Sequence, residues 1–532
     1  MSIFERKLIN KVYLDDTVSI SATIINAESV QGHTEYVIRV QRGLLPENSW
    51  HIQRRYNDFL SLHQEFQADG ISLPFPPKKI IGNMDREFIA ERQVALQKYL
   101  DVILQDPLFS SQLGVKKFLD PHNYKFYHAL GQTQMCIKLR GELDVKIVKQ
   151  LPHLGWRLRK EHYLVTLEPN NKEEYILTWT PFGPDKFLDE KQILSVLKSF
   201  ASLQHINIIP ITKVGICKDG GWVIKQAKKC GSVLDMMYGV KSPYFTSALR
   251  KYRSVELKNL LPVPKVIEIA SQILQILTFL HHNGVYHGHL HLGNVTLDGD
   301  VVKLLDLENS LFALPSYYRE SFVKVKQIQS MQAIDVYSFG LIIYEMLFGK
   351  PFTDVHLKEI TECPPVFKSV LESILCPRSK AALPTVTDLL NSQIFHQGPP
   401  APQPLLKLTS SSKQHLLSNG TKLLERLNED QVKYRQNIRT KKMYGMLNYD
   451  GKLVVCFKDK AQIKEDNEIN GSIDISNKAE SISSKDSSKN SGCSEEKLTS
   501  PPLIEDEGRS ALLGAICNFN KNKLKRVDKH SR

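Results

Sequence analysis

Apolar and polar positions alternate along residues 15–58, the period of two that is typical of a half-buried β-strand. The alternation predicts strands over 19–25, 34–40 and 50–55. Helical periodicity follows over 58–67. After a proline-rich stretch, an apolar stripe predicts a longer helix over 86–105. The first pattern therefore predicts one α+β domain over residues 15–122.

A second block of regular patterning runs from residue 150 to 396 and changes character along its length. It predicts strands over 163–167, 175–180 and 222–226, and then helices over 266–282, 335–348, 366–375 and 386–394. Because the strands come first and the helices afterwards, the block predicts a small β lobe joined to a larger α lobe.

Beyond residue 396 the periodicity weakens. A Pro-rich run over 398–404 and the Ser-, Lys- and Glu-rich run over 460–502 predict a linker and disordered region over 397–508, in which 405–441 forms one solvated helix. A short one-faced helical pattern returns after residue 509.

Composition adds a partner class to this outline. The 532 residues carry a net charge of +13, which indicates an anionic membrane, a nucleic acid or an acidic protein as partner. Because no nucleic-acid-binding motif is recognisable, we predict no nucleic acid partner. The chain begins without the apolar stretch of a secretory signal, and we find no apolar run of roughly 18 residues, so we expect a cytoplasmic protein.

Neither cysteines nor histidines predict a metal site. The eight cysteines form no C-x-x-C pair, which favours buried thiols over zinc ligands or disulfides. Five histidines lie close together in the sequence, at 281, 282, 287, 289 and 291, but they map to separated parts of one loop region. We expect His287 to satisfy backbone carbonyl groups there.

A candidate anion site follows the third predicted strand. Arg54-Arg55-Tyr56-x-Asp58-Phe59 runs from strand into helix, P-x-x-P-x-K ends at Lys79, and Arg92 lies in the long helix. Arginine offers a planar fork for phosphate oxygens and lysine a point charge, while a tyrosine ring stacks on a sugar-like face. The alternative is that the arginines form surface ion pairs and the prolines only a turn.

This ordered series resembles the phox-homology (PX) domain. The resemblance implies that Arg55 binds a 3-phosphate, that Tyr56 packs on the inositol ring, that Lys79 meets the 1-phosphate and that Arg92 binds ring hydroxyls. It also implies a preference for phosphatidylinositol 3-phosphate, the early-endosomal lipid.

Several strings in residues 150–396 resemble landmarks of the protein-kinase fold. Residues 188–197 resemble helix αC and place Glu190 at its ion-pairing glutamate, and DVYSFG at 335–340 resembles helix αF. The catalytic positions are degenerate: one glycine stands where the glycine-rich loop should be, Trp179 replaces the phosphate-clamping lysine, and His289 replaces the proton-accepting aspartate.

Loss of either the lysine or the aspartate commonly slows phosphoryl transfer by orders of magnitude, so we predict a pseudokinase. Asn294 and Asp306 keep their residue types and, with Glu190, are candidate nucleotide or metal ligands, although a loop hydrogen bond is an equal alternative for Asp306. No cofactor is required, and we expect at most weak Mg-ATP binding. The rival is an atypical active Ser/Thr kinase with a displaced lysine, for which Lys160 or Arg159 is the candidate.

The last apolar pattern resembles the WASP-homology-2 motif over 509–528. The resemblance implies binding to monomeric actin through Leu512, Leu513, Ile516, Phe519, Leu524, Lys525 and Arg526. An isolated helix of this length is unstable, so it would fold on binding. A stray amphipathic patch and a membrane-binding segment are the alternatives.

The order of these three parts resembles the family of PX domain-containing protein kinase-like proteins. That resemblance implies a phosphoinositide-binding pseudokinase adaptor, peripheral on endosomal or plasma membranes. It implies a role in trafficking of membrane proteins or in modulation of a membrane pump or channel.

Overall fold

The computed structural model describes residues 15–43, 48–78, 85–124, 144–169, 172–227, 231–241, 244, 246–252, 259–352, 360–376, 382–395, 406 and 408–447. These residues form an N-terminal α+β domain followed by a bilobal kinase-like domain, which confirms the predicted fold class.

The N-terminal domain is built on a three-stranded antiparallel sheet of order β1-β2-β3, made of Ile20–Val30, His33–Arg42 and Ser49–Arg55. Its helices are α1 Tyr56–Ala68, α2 Arg86–Gln105, α3 Pro107–Ser110, α4 Leu113–Leu119 and α5 Pro121–Tyr124. Alternate residues of β2, such as Tyr36 and Ile38, are fully buried against α1, whereas Arg39 is exposed. The period of two thus separates the core face from the solvent face.

Two local contacts place the candidate anion site at one end of this sheet. Arg55 ends β3 opposite Glu35, and its N–H donates to the Asp58 carboxylate at 2.8 Å, half of a capping arrangement that starts α1. Helix α2 lies along β1, where Gln97 accepts from the N–H of Ile24 at 2.7 Å. The helix that carries Arg92 is therefore tied to the sheet edge.

The first lobe of the kinase-like domain is a five-stranded antiparallel sheet of order β4-β5-β6-β8-β7. Its strands are β4 Val145–Gln150, β5 Glu161–Leu167, β6 Tyr175–Pro181, β7 Ile211–Cys217 and β8 Gly220–Gln226. Helix α6, Glu190–Ala201, packs on one face through Ile193 and Val196, which share a core with Val223 of β8.

The second lobe is mainly helical. Its helices are α7 Val233–Met237, α8 Ala248–Tyr252, α9 Val263–His282, α10 Arg319–Lys324, α11 Met331–Phe348, α12 Pro365–Leu375 and α13 Val386–Leu390, with a hairpin of β9 Val295–Asp298 and β10 Val301–Leu304. Both α9 and α11 have the length and apolarity of a membrane span, yet both are mostly buried in the described domain. We therefore interpret them as core helices of this lobe.

The prediction of a linker and disordered region over 397–508, with a solvated helix inside it, is wrong for one long segment. Helix α14, Ser410–Leu447, packs against α6 and α10. Its buried stripe contains polar Ser412, Asn419 and Gln431 as well as Leu416 and Leu427. The hydrophobic pattern is weak because the buried polar groups bond to the domain, as when Gln431 donates to the carbonyl of Phe322 at 3.1 Å.

The two domains are in direct contact within the described residues. Leu249 of α8 is buried in the apolar core of the N-terminal domain. Beside it, Arg250 Nε donates to Asp69 Oδ1 at 2.9 Å. A buried leucine with a flanking ion pair indicates that the domains share a packed interface.

Candidate functional site

The candidate anion site centres on Tyr56 and Arg92. The Arg92 guanidinium carbon lies 4.5 Å from the centroid of the Tyr56 ring and 4.2 Å from that of Phe88, with only 7% of Arg92 exposed. The Tyr56 hydroxyl donates to the Pro76 carbonyl at 2.8 Å, which ties the proline-rich stretch to the same place. Cation–π stacking of this kind holds a buried guanidinium in one orientation.

Arg55 borders this pair from the end of β3 and remains accessible. Its side chain is 54% exposed, and its Nε donates to Glu35 Oε1 at 3.0 Å. Hydrogen bonds from His33 and then from Arg55 hold the pKa of Glu35 below its usual value. The structure thus places three of the four predicted lipid contacts, Arg55, Tyr56 and Arg92, on adjoining elements. Lys79 lies outside the described residues.

Arg54 has a different role from its neighbour. Its guanidinium donates to the Phe118 carbonyl at 3.0 Å through Nε, and its carbon lies 5.2 Å from the Phe118 ring centroid. Burial lowers the pKa of Arg54. Because successive strand residues point to opposite faces, the two arginines divide into a packing residue and a surface residue.

In the kinase-like cleft, four charged side chains form an ion-pair cluster, which we call the quartet: Lys160, Lys225, Asp306 and Glu308. Lys160 Nζ lies 2.6 Å from Asp306 Oδ2, and Lys225 Nζ lies 2.7 Å from Glu308 Oε1 and 3.8 Å from Asp306 Oδ1. Burial lowers the pKa of Lys160, an effect that Asp306 partly offsets. Burial by itself would raise the pKa of Asp306, but the charges of Lys160 and Lys225 bring it well below its usual value. Each carboxylate of the quartet therefore has a lysine as its direct partner.

The catalytic-loop positions are also occupied by internal partners. Asn294 Nδ2 donates to the His289 carbonyl at 2.9 Å. Arg157 Nη2 donates to His289 Nδ1 at 3.3 Å, and Trp156 Nε1 donates to His291 Nε2 at the same distance. Burial, reinforced by Arg157, lowers the pKa of His289 well below its usual value, which makes it a weak proton acceptor.

The expectation for His287 is confirmed. His287 Nε2 lies 2.9 Å from the Leu305 carbonyl, and its own N–H donates to Asp335 Oδ2 at 2.9 Å. His281 Nε2 contacts the same carboxylate at 2.9 Å. These two histidines therefore brace the loop through Asp335.

Two predicted positions need correction. Trp179 packs with Tyr163 and Trp222 on the sheet face away from α6, whereas Thr178, one residue earlier, faces inward and meets His162 at 3.0 Å. The proposed replacement of the lysine by an indole is wrong because neighbouring strand residues lie on opposite faces.

Glu190 is the second correction. It lies in the first turn of α6 with its side chain 41% exposed and pairs with Lys186 at 2.5 Å. The buried face of α6 is apolar, with Ile193 and Leu197 fully buried, so the helix presents aliphatic side chains where a glutamate was expected. The structure places Glu190 outside the cleft.

Sequence reasoning missed Lys225, Glu308, Trp156 and Arg157 as cleft residues. A signal was present in β8, where Lys225 follows an apolar run and shares the inward face with Val223. A lysine at such a position needs a buried partner, and the D-L-E triplet at 306–308 supplies two carboxylates.

A kinase fold implies Mg²⁺ and a nucleotide, and the described partners of Asp306 do not leave it free to hold the metal ion. Each oxygen of Asp306 faces a lysine ammonium group. Asp306, Glu308 and Lys225, with apolar neighbours, also line a small cavity of about 10 Å³, comparable to the space for a single water molecule. The displaced lysine of the rival reading, Lys160, is engaged with Asp306. Weak Mg-ATP binding stays an untested prediction.

Comparison with known proteins supports both domains. The family model for the PX domain matches residues 45–122, and that for the protein kinase domain matches residues 183–438. The second match extends into α14, in agreement with the packing of that helix on the domain.

Three relatives match this chain over different lengths. The PX domain-containing protein kinase-like protein of Rattus norvegicus is 38% identical over 449 residues, covering 82% of this chain and 76% of the relative. The Slowpoke-binding protein of Drosophila melanogaster is 28% identical over 292 residues, covering 50% of this chain and 55% of the relative. The probable inactive serine/threonine-protein kinase slob1 of Dictyostelium discoideum is 26% identical over 298 residues, covering 52% and 49%.

The names "kinase-like" and "probable inactive" agree with the degenerate positions at His289 and in the glycine loop. Identity above 30% with coverage of most of both chains establishes the relationship. This chain belongs to the family of PX domain-containing protein kinase-like proteins.

Proposed function

We propose that this protein is a phosphoinositide-binding adaptor, recruited to a membrane by its PX domain, whose kinase-like domain binds other proteins and transfers no phosphate. The observation that carries the proposal is the Arg92–Tyr56 stack with the exposed Arg55 beside it. A guanidinium fixed on an aromatic ring and a second one at the surface suit a phosphorylated inositol ring.

The energetics favour exchange of partners at Arg55. Its ion pair with Glu35 lies at a largely exposed position, where such pairs contribute roughly 0–1 kcal/mol. A hydrogen bond to a charged phosphate is worth about 1.5–3 kcal/mol. A phosphate can therefore displace the carboxylate with a net gain.

The finer parts of the proposal rest on resemblance. Phosphatidylinositol 3-phosphate on endosomes is the proposed lipid, since the PX motif keeps Arg55, Tyr56, Lys79 and Arg92. We propose a membrane-protein cargo, pump or channel as the protein partner, a choice that the name of the Slowpoke-binding relative supports.

Sedimentation with liposomes tests lipid binding. Wild type, Arg55→Ala and Arg39→Ala would be mixed with vesicles that contain phosphatidylinositol 3-phosphate, an isomeric monophosphate, or phosphatidylserine alone. Arg39 is an exposed arginine of β2 that lies on the same face as Glu35, four residues (about 13 Å) away. Arg39→Ala therefore changes the net charge by the same amount as Arg55→Ala.

We expect Arg55→Ala to weaken binding to the 3-phosphate vesicles by about 10-fold or more and Arg39→Ala to weaken it by less than about 3-fold. Equal binding by wild type and Arg55→Ala would contradict the proposal. Equal losses in both variants would reduce it to non-specific attraction between a basic protein and an anionic surface.

Actin binding is a second proposal, supported only by the motif over 509–528, which lies outside the described residues. An apolar helix face that folds into a groove on actin would fail if charged. We expect the paired change Leu512→Asp and Leu513→Asp to abolish the delay that the wild-type chain imposes on actin polymerisation. No delay by wild type would reject this part.

A further inference from the structure

The quartet in the kinase-like cleft is electrically balanced, with two ammonium groups and two carboxylates. Lys225 Nζ sits between Asp306 Oδ1 and Glu308 Oε1, at 3.8 and 2.7 Å. Lys160 Nζ approaches the other oxygen of Asp306 and also donates to Asn309 Oδ1 at 3.0 Å. A cation bridging two carboxylates is the arrangement that a divalent metal ion would adopt between the same groups.

Because the quartet is largely buried, its charged groups need partners of opposite charge. Glu308 is 1% exposed, and Lys160, at 7%, is nearly as buried. A buried carboxylate without a counter-charge is strongly unfavourable, so Glu308 requires a cation within reach. In the described residues, Lys225 fills that requirement at hydrogen-bonding distance.

One carboxylate oxygen of the quartet has no hydrogen-bond partner among the described residues. This atom is the buried Oε2 of Glu308. Glu308 lines the cavity of about 10 Å³ together with Asp306 and Lys225. An orphaned carboxylate oxygen at a small cavity indicates a coordination position that the lysine does not use.

We propose that Lys225, assisted by Lys160, is a built-in replacement for the divalent cation of a kinase cleft, and that Asp306 and Glu308 form a latent divalent-cation site which Lys225 occupies. The domain thereby folds without Mg-nucleotide. This inference goes beyond the proposed adaptor function and does not depend on lipid binding.

The test removes the internal cation and offers an external one. Full-length Lys225→Met keeps an unbranched apolar stem, one atom shorter than that of lysine, but leaves Asp306 and Glu308 with the single charge of Lys160. We expect its Tm to fall by about 5–15 °C. Millimolar MgCl₂ or MnCl₂ should then restore about 5 °C or more, relative to NaCl of equal ionic strength.

Two variants serve as controls. Lys213→Met removes a lysine from the neighbouring strand β7, where it pairs with the partly exposed Asp144. We expect it to change Tm by less than about 3 °C and to show no response to the metal. Lys225→Met with Glu308→Gln removes one charge of each sign; it should recover much of the lost stability and lose the metal response.

The double variant keeps the test decisive if Lys225→Met alone does not fold. In that case, folding of the double variant without a metal response would support the charge assignment, and failure of both would overturn it. Titration calorimetry with MnCl₂ gives a direct reading: binding to Lys225→Met but not to wild type is expected. Stabilisation of wild type by MgCl₂ with ATP, or no metal response in a folded Lys225→Met, would overturn the proposal.

Discussion

The candidate anion site of the PX domain and the cleft of the kinase-like domain both contain several charged side chains, but these differ in their exposure to solvent and in their partners. At the PX surface, Arg55 is 54% exposed and pairs with Glu35 at 3.0 Å. In the cleft, Lys160, Lys225, Asp306 and Glu308 neutralise one another and are largely withdrawn from solvent. Our proposal gives the first site an external anion as its partner, whereas the charged groups of the second site are paired with one another.

The difference shows how one fold can keep the shape of a catalytic cleft while losing its chemistry. The strands, αC-like helix and catalytic loop remain, held by bonds such as those from Asp335 to the loop. Asp306, which would hold a metal ion in an active kinase, is paired with Lys160 and Lys225. Substitutions in the cleft should therefore alter stability, and substitutions at the PX surface should alter binding.

Substitution of Asp335 should have the largest effect. Its carboxylate accepts from the N–H groups of His287 and Gly288 at 2.9 and 2.7 Å and meets His281, and it has no exposure to solvent. We expect Asp335→Asn to lower the free energy of unfolding by about 3–5 kcal/mol, because an amide NH₂ would face backbone donors.

Urea denaturation measures this loss, with Asp388→Asn as the matched control. Asp388 accepts from the N–H of Thr385 at 2.8 Å at the exposed start of α13, so its loss should cost about 1 kcal/mol. Similar losses for the two variants would argue against a special role of Asp335 in holding the catalytic loop.

Acid should weaken the cleft next. Burial lowers the pKa of His162 and of His291 to about 3, against roughly 6.5 in an unfolded chain. Because the unfolded state takes up protons first, stability that is present above about pH 6.5 is lost as the pH falls towards 3. For two such groups the slope is about 2.7 kcal/mol per pH unit.

Thermal unfolding between pH 7 and 5 measures this slope. The double change His162→Gln and His291→Gln removes these two titrating groups and should reduce the slope, while other buried histidines such as His289 keep part of it. An unchanged acid dependence in that variant would locate the sensitive groups elsewhere.

The smallest expected effect is the difference in stability loss between substitutions of the two adjacent arginines of the PX domain. Arg54→Ala removes bonds to the Phe118 carbonyl and should cost about 1–3 kcal/mol of stability. Arg55→Ala breaks an exposed pair and should cost less than about 1 kcal/mol. Denaturation curves compare them; a larger loss for Arg55→Ala would reverse their assigned roles.

Much of the fold was predictable because its periodicities are strong. The strands of the PX sheet and the helix over 86–105 follow directly from alternation and from an apolar stripe, and the structure has them at nearly the same bounds. In the kinase-like domain, the apolar helices α9 and α11 were equally clear. Arg55, Tyr56 and Arg92 were predicted from residue types that occur in a recognisable order, and the structure has them on adjoining elements.

The missed features depend on contacts between distant residues. Trp179 and Thr178 would exchange sheet faces if the alignment of the strand shifted by one residue, and composition cannot decide between the two alignments. Helix α14 was predicted to be solvated from its mixed basic and apolar composition. In the structure Ser412 shares a hydrogen bond with Ser199, and Asn419 donates to the Tyr286 hydroxyl and to the Ser310 carbonyl.

The sequence by itself determined the two domains, their order and the loss of the catalytic aspartate and of the glycine-rich loop, because these depend on residue identity and local period. Only the tertiary structure decided that Lys160 and Lys225 meet Asp306 and Glu308, because these partners are far apart in the sequence: Lys160 and Asp306 by 146 residues, Lys225 and Glu308 by 83. The reason is that residue identity gives the sign of a charge, whereas the partner of that charge and its burial depend on the folded structure.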